Sequence, residues 1–195
     1  MYLLLLCSLT VAAIAIDRFL LYRRASQGAR ALEADVAVAL RKKKLDEVAP
    51  AVKGKDNMVA HLIQSAVDAR AAGEDVPMTL EAVYGEAAML LRARLNYLST
   101  IVTLAPLLGL LGTISGMIQS FSVFNLQAGQ PMAITGGIGE ALIATATGLL
   151  VAIFSLVVHT YFAQRMDTML TLLEKTMNTL LAGFAAADGG RSHAS

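Results

Sequence analysis

From Leu95 to Gln164 the chain reads LNYLSTIVTLAPLLGLLGTISGMIQSFSVFNLQAGQPMAITGGIGEALIATATGLLVAIFSLVVHTYFAQ, and one formal charge, Glu140, stands in the whole interval. Two apolar segments of this length, separated by a polar stretch with Gly129, Pro131 and the Gly136-Gly137 pair, predict two membrane-spanning helices joined by a short turn. A carboxylate inside lipid-grade sequence costs about 3 kcal/mol on insertion scales, so it marks an ion path, a buried pair or a contact with a partner helix.

Within the first of these spans Ala105, Gly109, Gly112 and Gly116 fall at i, i+4, i+7 and i+11, and within the second Gly137, Ala141, Ala144, Gly148 and Ala152 share one side. Lipid supplies no hydrophobic drive between helices, so close backbone approach along small residues is how such spans associate. The stripes predict tight helix packing, within one chain or between copies, and an oligomer. Glu140 lies about six residues, roughly 9 Å, inside the outer end of its span, with Ala144 and Thr147 on its face and Thr145 about 140° away. A carboxylate and hydroxyls along a lumen hold a water file. The alternative for Glu140 is a helix-packing residue hydrogen-bonded between subunits, and for Thr113, Thr145 and Thr147 a bond to their own preceding turn.

Outward from this core, Met1 to Ile16 is an apolar run and is followed by Asp17-Arg18, then Phe19 to Tyr22 and Arg23-Arg24. Extension through Tyr22 reaches the roughly 20 residues a bilayer needs, with Asp17 and Arg18 able to pair or snorkel. Basic residues follow this run and none precedes it, the reverse of a secretory leader, so an uncleaved anchor with an outward N-terminus is expected. Arg165 and Lys175 after the third span fall on the same side as Arg18, Arg23, Arg24 and the Arg41 to Lys44 cluster, which places the C-terminus in the cytoplasm. The cluster reads as a solvated face or a contact with anionic lipid.

Between the first and second spans the chain is helix-prone, with breaks at Pro50 to Asn57 and Ala72 to Pro77. Val59, Leu62, Ile63, Ala66 and Val67 form one apolar stripe on a helix. Helical composition then runs without a breaker from Thr79 into the second span, predicting one helix to Phe124, weakened at Pro106. The apolar pattern after the third span continues to Phe184.

Composition agrees: 195 residues, 56% hydrophobic and 16% charged, with mean hydropathy +0.59, exclude an ordinary soluble domain. With net charge +1 and no basic stripe, nucleic acid is not a partner. His61, His159 and His193 are scattered and Cys7 is alone, so no metal, cofactor or catalytic site is expected, and the chain reads as no enzyme.

Leu104-Ala-Pro-Leu-Leu-Gly-Leu-Leu-Gly-Thr113-Ile-Ser-Gly-Met-Ile-Gln-Ser-Phe121 and Gly139-Glu140-Ala-Leu-Ile-Ala-Thr145-Ala-Thr-Gly-Leu-Leu-Val-Ala-Ile153 resemble the two signature spans of the MotA/TolQ/ExbB proton channel family. Asp17-Arg18-Phe-Leu-Leu-Tyr-Arg-Arg24 looks like the family's first-span exit, and three spans with an outward N-terminus match its ExbB and TolQ branch. The resemblance implies a homopentamer in the bacterial inner membrane. Its second and third spans would line a pore around the single-span helices of a dimeric ExbD- or TolR-like partner with an intramembrane Asp. Proton flow would then drive work on a TonB- or TolA-like protein. The family's pore glutamate matches Glu140 and its motif threonines match Thr113 and Thr145, whereas helix geometry pairs Glu140 with Thr147. The chain departs from the pattern at Phe154, where the family has proline, and at His159-Thr160, where it has Tyr-Asn. A structural oligomeric scaffold and a self-sufficient ion channel are the rival functions; the sparse polar setting of Glu140 favours H⁺ over Na⁺.

The expected fold class is an all-α integral membrane protein with three transmembrane helices, the second and third extended into a cytoplasmic helical domain. Its parts are a first span at 1–22, the cytoplasmic domain at 23–95, a second span at 96–124, a periplasmic turn at 125–135, a third span at 136–163, a cytoplasmic extension at 164–185 and a disordered tail at 186–195.

Overall fold

The computed structural model describes residues 2–42, 47–126 and 131–192. All regular elements among them are helices: α1 (Tyr2–Ser26), α2 (Ala29–Arg41), α3 (Val48–Val52), α4 (Met58–Ala72), α5 (Val76–Arg92), α6 (Leu95–Leu126) and α7 (Pro131–Ser192). Lys43 and Lys44 of the basic cluster, residues 127–130 of the expected turn, His193 and the last two residues of the expected tail lie outside the described residues. Three helical stretches, in α1, α6 and α7, are long and apolar enough to cross a membrane, and the protein is a multi-pass, all-helical membrane protein. The chain divides into two compact units, Met1–Arg18 with Arg94–Ala163, and Phe19–Ala93 with Gln164–Ser195.

In the first unit the usual soluble arrangement of large apolar residues inside and polar residues outside is inverted. Ala105, Ala141, Ala144 and Ala152 are buried, while Leu6 and Leu9 on α1, Leu107 and Leu111 on α6, and Leu142 and Leu150 on α7 are exposed. Such an apolar outer surface suits hydrocarbon rather than water. α6 continues through Pro106 without interruption. Ser155, fully buried, donates its hydroxyl to the Leu98 carbonyl at 3.1 Å and so ties α7 to α6.

The second unit folds like a small soluble bundle, and its helix ends follow from turn chemistry. Asn57 caps α4: its Oδ1 accepts the Ala60 N–H at 2.8 Å while its Nδ2 donates to the Gln27 carbonyl at 3.1 Å. α4 stops at Gly73, whose φ of 74° is a left-handed conformation that needs no Cβ. Asp75 then caps α5, accepting the Met78 N–H at 3.1 Å, with Pro77 in the first turn. The sequence stripe Val59, Leu62, Ile63 and Ala66 is fully buried and Val67 half-buried. Leu32 and Val36 of α2, Leu80 and Leu91 of α5, and Leu173 and Leu180 of α7 complete this core. α7 is further held by the ion pair of Lys175 with the buried Glu33 at 3.2 Å and by the Arg70 guanidinium, 4.6 Å over the Phe184 ring.

The single helix expected from Thr79 to Phe124 is not what forms. α5 ends at Arg92 and α6 begins at Leu95, because Ala93 is extended (φ −50°, ψ 140°) and Arg94 is left-handed (φ 65°). Among the described residues Arg94 is the one non-glycine residue with positive φ, a conformation that costs roughly 1–2 kcal/mol for an L-residue. α7, by contrast, is uninterrupted to Ser192, past Phe184 where the apolar periodicity stops.

Asn57→Ala is expected to lower the stability of the second unit by about 1–2 kcal/mol, since both the cap and the bond to Gln27 are lost. Asn57→Asp keeps the cap acceptor but cannot donate to the Gln27 carbonyl, and should recover only the cap's share of that loss. Denaturant unfolding in detergent, followed by helical circular dichroism, measures both.

Candidate functional site

The site is built where α6 and α7 run antiparallel with their backbones in contact. Along the seam Gly116 meets Ala141, Gly112 meets Ala144, and Gly109 and Ala105 meet Gly148. A Cβ added at Gly112 would lie 2.8 Å from Ala144 Cβ, and one at Gly148 would lie 2.6 Å from the Ala105 carbonyl oxygen and 3.0 Å from Gly109 Cα. At the far end a Cβ on Gly137 would collide with the Ser120 hydroxyl. The two small-residue stripes, Ala105, Gly109, Gly112 and Gly116 on one helix and Gly137, Ala141, Ala144 and Gly148 on the other, are thus brought face to face. At Gly109, Gly112, Gly116 and Gly148 glycine is needed for space, because the neighbouring atoms are backbone or alanine methyl groups that cannot swing aside.

The three threonines separate by what their hydroxyls bond. Thr145 Oγ1 crosses the seam and donates to the Gly109 carbonyl at 3.1 Å. Thr113 donates to Leu110 O at 2.7 Å and Thr147 to Ile143 O at 2.8 Å, both within their own helix. In an α-helix the Gly109 carbonyl also accepts the Thr113 N–H, so Thr145 and Thr113 converge on one oxygen.

Glu140 is exposed, unlike Ala141 and Ala144 beside it, which are buried. On the helix it lies about 40° from Ala144, 20° from Thr147 and 140° from Thr145, at the margin of the seam rather than in it. Within one chain the structure therefore groups Thr145 and Thr113 at the seam and Glu140 with Thr147 at its edge, and gives Glu140 no burial in the seam. What this arrangement offers chemically is a carboxylate on an apolar outer surface. Among the described residues no group of three or more His, Cys, Asp and Glu could hold a metal ion.

Two features were not singled out from the sequence. Ser155, which bonds across to α6, lies seven residues after Gly148 and eleven after Ala144, so the small-residue stripe extended by two turns would have included it. Arg94 pairs with Asp17 at 2.9 Å, and Asp17 also holds Arg18 Nη2 at 2.9 Å; only pairing of Asp17 with its neighbour could be anticipated from sequence.

A match to the MotA/TolQ/ExbB proton channel family covers residues 51–175, including the whole α6–α7 seam to Gly148. The biopolymer transport protein ExbB-like 1 of Synechocystis sp. is 54% identical over 65 residues, 31% of this chain and 26% of that protein. The Tol-Pal system protein TolQ of Pseudomonas aeruginosa is 32% identical over 108 residues, 55% of this chain and 47% of its own length. The biopolymer transport protein ExbB of Salmonella typhimurium is 38% identical over 74 residues, 37% and 30% of the respective chains. The chain thus spans between 26% and 47% of the length of these relatives.

Thr145→Val should weaken the α6–α7 hairpin by about 0.6 kcal/mol, and at most by ~2 kcal/mol, the range for interhelical bonds in membranes. Thr147→Val, which removes a bond within one helix, should change it little. Gly148→Val forces a side chain into backbone and is expected to be the most damaging, by about 1–3 kcal/mol. Unfolding by graded addition of a denaturing detergent to mixed micelles ranks the three.

Proposed function

This chain belongs to the MotA/TolQ/ExbB proton channel family, and on that premise we propose that it is the pore-forming subunit of a proton-motive-force-driven motor in the bacterial inner membrane. Several copies, five by family resemblance, enclose the single helices of an ExbD- or TolR-like partner whose intramembrane Asp carries the proton. Motion of that assembly does work on a TonB- or TolA-like protein, and the chain itself catalyses no covalent chemistry. Its relatives include a biopolymer transport protein and a Tol-Pal system protein; which of these tasks the chain serves is a property of the partners.

The observation that carries this reading is the exposed carboxylate of Glu140 on an otherwise apolar span. Facing hydrocarbon it would cost about 3 kcal/mol. Water in a pore, or a polar group from another helix, removes that penalty, and the margin of the seam is where a further subunit or a partner helix would lie. Thr145, donating across the seam to the Gly109 carbonyl, sets the register of α7 against α6 and through it the height of Glu140 in the membrane, while the Thr113 hydroxyl stays on Leu110 O of its own helix. Thr147 contributes a second hydroxyl on the Glu140 face. The basic residues Arg23, Arg24, Arg165 and Lys175 support a cytoplasmic second unit and a periplasmic N-terminus.

Glu140→Ala and Glu140→Gln should leave the size of the purified oligomer unchanged while reducing partner-dependent work to background, measured by native mass spectrometry and by an energised uptake or envelope-integrity assay with the partner co-expressed. Dissociation of the oligomer in both variants would favour the structural scaffold. Proton flux through the chain alone in liposomes would favour a self-sufficient channel. Thr113→Val and Thr145→Val are expected to lose work at near-normal expression; full activity in both would remove the threonines from the pathway.

A further inference from the structure

Polar side chains are not spread evenly round the α6–α7 hairpin. The register of the seam, Gly109 on Gly148, Gly116 on Ala141 and Ser120 on Gly137, is constant along its length, which leaves the pair two open sides. Measured from the direction that faces the seam, Gln119 lies about 60°, Ser115 about 100° and Ser122 about 120° round α6, all to one hand. On α7 Glu140 lies about 80° and Thr147 about 100° from the seam. They fall on the same side of the hairpin as the α6 group, because antiparallel helices reverse both their sense of rotation and the direction of the seam. Thr113 and Thr145, each about 60° the other way, occupy the opposite side, where their hydroxyls are closed off on Leu110 O and Gly109 O. The opposite side at this depth also exposes Leu110, Met117 and Leu142.

Depth follows from the same register. Glu140 stands opposite Met117, so Gln119 and Ser115 flank it, each about 3 Å away along the axis. Ser122 lies about 7.5 Å from Glu140 toward the C-terminal end of α6, and Thr147 about 10 Å the other way. Ser115, Gln119, Ser122 and Glu140 are exposed and Thr147 is half-buried. The Ser122 and Thr147 hydroxyls donate to carbonyls of their own helices, and among the described residues no protein group takes up the Gln119 amide or the Glu140 carboxylate. An amide with two donors and a carboxylate with about four lone-pair sites need several partners at once, and ionisable groups inside a membrane face the bundle interior or a water-filled cavity. A file of water reaches every member of this row, since successive members stand about 3–8 Å apart in depth. Deeper than Thr147 the same side changes character: Leu108 and Leu104 of α6 and Val151 and Phe154 of α7 follow at comparable angles with no polar side-chain atom.

We propose that Ser115, Gln119 and Ser122 of α6 line, with Glu140 and Thr147 of α7, a water-filled lane that opens toward the C-terminal end of α6 and is closed below Thr147 by Leu104, Leu108, Val151 and Phe154. Glu140 then exchanges its proton with water from one face of the membrane only, and Gln119 and Ser115 hold the water that does so. The lane rests on the proposed pore, because further copies or a partner must keep lipid off this side of the hairpin.

Single cysteines in a C7S background, in the purified oligomer in nanodiscs, test the lane with the charged reagent 2-(trimethylammonium)ethyl methanethiosulfonate. The reagent attacks through the thiolate, so it reports hydrated positions. S115C, Q119C and S122C should react at least about tenfold faster than L110C, M117C and L142C on the opposite side, and than L104C and F154C below the closure. Equal rates on the two sides overturn the lane, and fast reaction at L104C and F154C overturns its closure. The chain without substitutions gives a second reading: a water-soluble carbodiimide with glycine ethyl ester should amidate Glu140, detected by mass spectrometry of the peptide, and an unmodified Glu140 overturns the lane. None of these rates depends on work by the assembly. The expected labelling with a fully active Glu140→Ala would sink the motor and keep the lane, whereas equal labelling with an inactive Glu140→Ala would do the reverse.

Discussion

The fold of the membrane-spanning unit depends on one constraint: α6 and α7 approach until backbone touches backbone. At Gly148 a single added carbon would sit 2.6 Å from the Ala105 carbonyl oxygen, so the seam has no room for even the smallest side chain there. In water such contact would be a poor use of a helix face, because little apolar area is hidden. In lipid the comparison is different, since large side chains are as well solvated by acyl chains as by each other. Dispersion between close backbones and a few interhelical bonds then decide the pairing. Thr145 to Gly109 and Ser155 to Leu98 are those bonds, one near the middle of the seam and one nearer its α6 N-terminal end.

The helix periodicity of the small residues was legible from the sequence, and so were the turns of the second unit, because Asn57, Gly73, Asp75 and Pro77 act through their own covalent chemistry. The apolar stripe of α4 was equally plain. The junction at Ala93 and Arg94 was not, since its composition is helical and nothing in the local sequence marks the break. Periodicity reports which residues share a face; it is silent on what stands opposite and on contacts that override propensity.

The same limit explains the threonines. Spacing puts Thr147 on the face of Glu140, and the resemblance selects Thr145 and Thr113. The structure separates them by hydrogen bonding: Thr145 reaches the partner helix, while Thr147 turns back on Ile143. A hydroxyl bonded within its own turn can still swing to another acceptor at small expense, whereas one that bridges two helices is tied to their register. Thr145 therefore fixes where α7 stands against α6, whereas the Thr147 hydroxyl is not tied to the seam.

Glu140 finally sets what the single chain lacks. Its carboxylate would cost about 3 kcal/mol against hydrocarbon, while an average interhelical hydrogen bond in a membrane returns about 0.6 kcal/mol. The two bonds across the seam cannot offset that penalty, and neither of them involves Glu140. Moving the acid into the seam is closed too, because the glycine contacts leave no volume for a side chain of that length. The seam that gives the hairpin its stability therefore forces the acid outward, and its polar surroundings must come from outside the hairpin. A pore or a partner helix, as proposed for the assembly, would meet that requirement, and the packing of the hairpin and the place of Glu140 then belong to one argument.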